Sequence, residues 1–428
     1  MQELRETVKK ELDNLVNIAT TYREGDITES LFLDVVYKYK NNNESLDSYK
    51  NYLQSKNVKI ISDSSEIDDL DYESDENIEI KPYDTRLIDI SPKTTSLDTI
   101  ISRLENNEID LMPDFQRKAG LWSTEQKSQL IESLILRIPL PAFYFDGSNN
   151  DMWIIIDGLQ RLTALKEFFV EKNLKLKGLE FLSDLEGIGV DDMPRVYIRR
   201  MKETQITAYI INPGAPVNLK YNIFKRINTG GLKLEPQEIR HALFQGFSTN
   251  YLRELAEMDL FKEATGYSAS SNRMLDREFV LRFIAFYELT VDRYRGSIDD
   301  FLNNAMEFIN KEYNEKRSLE TKEVFIRVLE ANQTIFGKFA FRRMPDTVKK
   351  RPISKALFET WTVVLAKYSD EELQVLKRNK EHIMEKYIAL CRDDKDFINS
   401  IGSGKISSVR KRFDFIEKLI GEMLKNDK

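Results

Sequence analysis

Apolar residues recur at helical spacing from the start of the chain. Leu12, Leu15, Val16 and Ala19 predict a first helix, and a turn follows at Gly25 and Asp26. Residues 28–39 predict a second helix with Thr28 as its N-cap, and residues 46–56 a third ending near Asn57. Val58-Lys59-Ile60-Ile61 reads as a short strand. The pattern resumes at Asp89. Leu97, Ile100, Ile101 and Leu104 share one face of a helix over 95–105, and a second helix is expected over 124–136. Pro139 and Pro141 force extended chain into a strand over 142–145. Residues 153–156 are apolar throughout, the mark of a strand buried on both faces, and a helix follows over 161–170. Strand-like runs recur at 195–198 and 207–211, and beyond Pro216 the pattern is almost wholly helical.

Between the first helices and the centre lies an acidic run. Residues 62–79 hold nine acidic side chains, no basic one and no hydrophobic period, which predicts an extended linker. It serves either as a solvated tether or as a nucleic-acid mimic covering a basic groove. Helices, short strand and acidic run together, carried by GDITESLFLDVVYK and LDSYKNYLQSKNVKII, resemble region 1.1 of the primary bacterial sigma factors. Four segments are expected: a helical domain over 1–61, the linker over 62–85, an α+β domain over 86–235 and an all-α domain over 236–428.

Composition narrows the chemistry. Net charge is −7, yet residues 1–85 alone carry 20 acidic against 10 basic side chains, so the remainder is mildly basic. One cysteine, Cys391, excludes an internal disulfide and a thiolate metal cluster. Two histidines, His241 and His382, exclude a histidine-rich metal nuclease and a zinc finger; His241 reads as a packing residue. There is no signal core, no apolar run of membrane-spanning length and no P-loop, so the cytoplasm is the expected location and no membrane is expected as a partner.

The segment Ile154-Ile155-Ile156-Asp157-Gly158-Leu159-Gln160-Arg161-Leu162-Thr163 carries the clearest chemistry. A strand stops, a glycine turns and a helix begins, so backbone N–H groups and the positive end of a dipole meet whatever docks there, and a phosphate fits. Gly158 lets the backbone approach, Arg161 offers a bidentate fork, and Gln160 adds a donor. Asp157 is either the helix N-cap, a Mg²⁺ ligand or the partner of a sugar hydroxyl. Trp122 and Trp153 read as core.

IDGLQRLTAL resembles the DGQQR motif of the ParB/sulfiredoxin-like domains in GmrSD-type modification-dependent restriction enzymes and related phage-defence proteins. Three more segments agree in order. They are MPDFQR followed by Leu121-Trp122, LIESL followed by IPLP, and FKRINTGG followed by Leu234, Glu238, Ile239 and Arg240. The resemblance implies nucleoside triphosphate binding, with hydrolysis that gates an effector. Asp157, Gly158, Gln160 and Arg161 would meet phosphate or metal, Gln116 and Arg117 would approach from a facing loop, and Arg226 and Asn228 would close the pocket. Asp157, Gln160 and Arg161 would carry any catalysis, with Mg²⁺ on Asp157. Leu159 stands where the family has its first glutamine, which bears on hydrolysis more than on binding. The plainer readings are an Arg117–Asp114 ion pair and a helix C-cap at 228–231.

Two basic clusters in the helical part suit DNA phosphates: Arg342, Arg343, Lys349, Lys350 and Arg351, and then Arg410, Lys411 and Arg412. The expectation is a nucleotide-binding, DNA-sensing protein of a prokaryotic anti-phage or restriction-like system. Its partners are DNA and a nucleoside triphosphate, with a partner nuclease, RNA polymerase or a second copy of the chain left open. The alternatives are an endonuclease using Asp157, Asp114 and Glu132 around a metal, or a regulator without catalysis.

Overall fold

The computed structural model describes residues 6–39, 46–63, 90–111, 122–149, 151–214, 216–227, 234–344 and 350–425. The fold is α+β. Two compact units divide the chain, one formed by residues 1–79 together with 244–428, the other by residues 80–243.

In the first unit the N-terminal helices α1 (Glu6–Tyr22), α2 (Glu29–Lys38) and α3 (Leu46–Ser55) enclose a small core of Val8, Leu12, Leu15, Ile27, Phe32 and Leu53. Thr28 caps α2 as expected, accepting from the Leu31 N–H at 3.4 Å. Strands β1 (Asp26–Thr28) and β2 (Lys59–Ile61) pair in parallel. Arg23 docks this bundle onto the helical body by donating to the Tyr267 carbonyl at 3.0 Å, and Lys350 Nζ donates to the Tyr22 carbonyl at 2.7 Å. The body runs from Phe247–Glu257 to Ile406–Lys425, and its core holds Phe283, Phe325, Phe358 and Trp361. The acidic run lies outside the described residues from position 64 onward. Among the described residues no helix is long and apolar enough to cross a membrane.

The second unit is built on a mixed sheet. Its strands are β3 (Ile90–Ser96), β4 (Ile109–Asp110), β5 (Phe143–Asp146), β6 (Trp153–Asp157) and β7 (Gln205–Ile211), in the order β3-β7-β5-β6-β4. β5 runs antiparallel to β6 and parallel to β7, so the start of β5 lies beside the end of β6. Around the sheet pack α4 (Leu97–Glu105), α5 (Thr124–Ile135), α6 (Leu159–Leu165), α7 (Arg195–Lys202), α8 (Val217–Ile227) and α9 (Pro236–Leu243). α5 opens with a capping box between Ser123 and Gln126. α6 continues as a single π-turn over Lys166–Val170.

One element differs in kind from its sequence reading. Residues 195–198 alternate like a strand but begin α7. Pro194 supplies the extended N-cap, and Tyr197 and Met201 recur at helical spacing with Met201 fully buried. β3 and the two-residue β4 carry too few apolar residues to be read locally.

Candidate phosphate-docking turn

β6 is buried as its pattern implies, with Ile155 and Ile156 in the core. Gly158 then adopts φ +106°, a left-handed conformation that favours glycine. An added Cβ would also lie 2.5 Å from the Phe143 ring, so the glycine is required by the close approach of β5. The first intrahelical bond runs from Leu162 N–H to Gly158 O, leaving the amides of Leu159, Gln160 and Arg161 at the open end of the helix.

Arg161 turns inward. Its Nη2 donates to Asp157 Oδ2 at 2.9 Å and to the Ala142 carbonyl at 3.2 Å, and its Nη1 donates to the Pro141 carbonyl. The guanidinium lies 4.4 Å from the centre of the Phe143 ring. These contacts correct the picture of a fork held out for phosphate: Arg161 braces the Pro-rich entry to β5 against the end of β6. Burial pushes the Asp157 carboxyl above the usual range, against the opposing charge of Arg161 and the Gly158 amide. Burial likewise lowers the Arg161 pKa, with Asp157 opposing. Asp157 does not cap the helix; the N-cap is Gly158, with no side-chain cap bond.

Gln160 faces the other way, where its Oε1 accepts from the Trp122 N–H at 3.1 Å. That bond ties Trp122, which follows the loop expected to carry Gln116 and Arg117, to the first turn of α6. Gln116 and Arg117 on that loop, with Asp114, lie outside the described residues, as does Asn228. Arg226 is exposed in the last turn of α8. Among the described residues no three His, Cys, Asp or Glu side chains converge to hold a metal. Asp157, the residue read as the Mg²⁺ ligand, faces a guanidinium instead.

The remaining motif residues serve the fold. Phe224 packs with Ile156, Ile211, Tyr221 and Ile239 beneath the end of β6. Arg240 is 1% exposed, 5.4 Å from the Tyr221 ring, and Glu238 accepts from the Glu235 N–H at 2.7 Å. His241 is buried, and Trp153 stacks under Arg103 at 3.9 Å. Glu132, weighed as a metal ligand, accepts instead from the backbone N–H groups of Glu180, Phe181 and Leu182.

Two features escaped the sequence reading. Lys220 and Asp146 form a buried ion pair at 3.1 Å, joined by the Ser148 hydroxyl, that ties α8 to the end of β5. A lysine four residues before Phe224, on the apolar face of α8, was the available signal. The second is an open cleft of about 720 Å³ against the π-turn, lined by Thr124, Glu167, Asn173, Lys175, Lys177 and Glu186 among others. None of the residues singled out from sequence lines it.

In the helical body the proposed phosphate contacts divide. Arg342 is 1% exposed and donates to the Ala340 and Thr265 carbonyls and to Ser268 Oγ. Arg412 is fully buried and paired with Glu359. Neither reaches a duplex, because each guanidinium satisfies interior acceptors. Lys350 is tied to Tyr22, Arg343 is half-buried and Lys349 lies outside the described residues. Arg351, Arg410 and Lys411 remain on the surface, the last two with loose partners in Asp292 and Asp396 at 3.8 and 3.6 Å.

A mixed sheet with β6 running into a left-handed glycine and a helix defines an α+β domain. Residues 97–245 match the family described as the GmrSD restriction endonuclease, N-terminal domain. No curated protein and no solved structure matches the chain.

Proposed function

We propose that this chain acts on DNA in a restriction-type defence system, with residues 97–245 as a module that binds a nucleoside triphosphate and couples it to the helical body. The family match over 97–245 carries the reading. The turn at Gly158 supports the nucleotide part, since the amides of Leu159, Gln160 and Arg161 stand at the open end of the helix that begins there. In this proposal Arg161 acts as a brace that holds the turn, and Gln160 acts as the donor facing the ligand. Mg²⁺ would arrive with the triphosphate, because Asp157 is already paired. Cleavage by this pocket is not favoured: Glu132 and Asp157, its described carboxylates, are both committed to protein partners.

Isothermal titration of the full chain with ATP and GTP in Mg²⁺ tests the nucleotide part, with phosphate release in the same samples reporting hydrolysis. Gln160→Ala is expected to weaken binding about tenfold, the loss of one hydrogen bond to a charged group. A wild-type chain that takes up neither nucleotide removes the nucleotide part. A chain that retains no DNA in a gel-shift assay removes the DNA-acting part.

A further inference from the structure

We propose that Phe181, Arg137, Arg195 and Arg199 form a surface for single-stranded nucleic acid, with Phe181 stacking on a base and the arginines meeting the flanking phosphates. The proposal rests on the DNA-acting reading above.

The surface is assembled along one face of α5. Ser128 Oγ accepts from the Lys177 N–H at 2.9 Å. One turn on, the Glu132 carboxylate accepts from the Glu180, Phe181 and Leu182 N–H groups at 3.0, 2.7 and 2.8 Å. At the next turn the Ile135 carbonyl accepts from Arg200 Nη1 at 3.1 Å. Ser128 and Glu132 share a helical face, so the chain over 177–182 lies along α5, whose last turn is bound by Arg200 of α7.

Glu132 is 3% exposed, yet burial fails to raise its pKa because three backbone amides hold it ionised. The loop fixed by this buried carboxylate displays Phe181, which at 69% is the most exposed large apolar side chain among the described residues. Leaving a phenylalanine in water forgoes the stabilisation its burial would bring. The three amide bonds to Glu132 hold the backbone that carries this ring.

The arginines stand where stability alone would place other residues. Arg137 takes φ +62°, the left-handed region that suits glycine or asparagine. Arg195 opens α7, where the helix dipole disfavours a cation, and Arg199 lies one turn further on the same face. All three are exposed, and none has a carboxylate within ion-pair distance among the described residues. Their neighbours differ: Lys202 is paired with Asp98 at 2.9 Å and Arg200 is bound to Ile135. Glu180, next to Phe181 in sequence, is exposed. A free-standing ring needs a flat face to stack on. Unpaired bases supply one, a duplex hides its faces in the stack, and an acidic polypeptide offers none.

Fluorescence anisotropy of a labelled oligothymidylate and of a duplex of equal length, titrated with the full chain, tests the proposal. Phe181→Ala should weaken single-strand binding about tenfold without changing its salt dependence. R195A/R199A should lower the slope of log affinity against log salt by about 1.4, and Glu180→Gln should tighten binding. Circular dichroism confirms that each variant is folded. Single-strand affinities unchanged by Phe181→Ala and R195A/R199A overturn the proposal while leaving the DNA-acting reading in place. So does a duplex preference indifferent to Phe181, or competition by polyglutamate that is equally indifferent. A wild-type chain holding neither strand nor duplex overturns both.

Discussion

Asp157 Oδ2 lies 2.9 Å from Arg161 Nη2, one helical turn away, and the same guanidinium holds the carbonyls of Pro141 and Ala142. A residue that looks in sequence like a phosphate fork is therefore the pin between the end of β6 and the entry to β5. Arg161→Ala would strand a half-buried carboxylate and two carbonyls. We expect a loss of about 2–3 kcal/mol in urea unfolding, discounted from the fully buried case because Asp157 keeps some solvent. Arg161→Lys should recover little of it, since an ammonium cannot span all three acceptors. A wild-type midpoint for Arg161→Ala would refute the brace.

Gly158 faces Phe143 at a distance no Cβ tolerates. Gly158→Ala combines that overlap with a φ of +106° and should cost about 2–4 kcal/mol. Adding Phe143→Leu should relieve the overlap and leave the backbone strain. The double variant is therefore expected to be less damaged than the sum of the singles. Strict additivity in thermal denaturation would show that the contact is not the constraint.

Glu132 gives the fold of this unit an acid sensitivity. Its pKa is lowered below the ordinary 4.5 because three amides outweigh burial. The stabilisation is present above the unfolded-state value and fades as pH falls through the lower folded value. Hydrogen exchange at Glu180, Phe181 and Leu182 should quicken in that acid window. Glu132→Gln should quicken it at neutral pH and weaken the unit by about 1.5–3 kcal/mol. Protection independent of pH would contradict the anchor.

Arg412 and Arg410 are two residues apart and should behave oppositely. Arg412→Ala removes one of the two guanidiniums that hold the fully buried Glu359, Arg282 at 2.9 Å being the other, and should destabilise the helical unit by about 1–3 kcal/mol. Arg410→Ala and Lys411→Ala, whose partners are distant and solvated, should shift stability by no more than about 0.5 kcal/mol. Chemical denaturation followed by far-ultraviolet circular dichroism separates the two cases. Equal effects would mean that the buried pair is not the difference.

Much of the scaffold was legible in the sequence because its signals are local. The apolar stripe of α4 and the run into Gly158 each declare themselves within one or two helical turns. The motif string also pointed to the family whose model matches residues 97–245. What a charged side chain meets is decided elsewhere. Arg161, Arg342 and Arg412 read like Arg195 and Arg199 in sequence, yet the first three end on interior carbonyls and carboxylates and the last two face water. Beside local acceptors such as Asp157, each draws on distant chain, as with Ala142 for Arg161, Thr265 for Arg342 and Glu359 for Arg412, and only folding brings these within hydrogen-bond reach. Helical and strand periods report which face is apolar, whereas the partner of a buried charge depends on how separate elements pack, and that is a property of the tertiary structure alone.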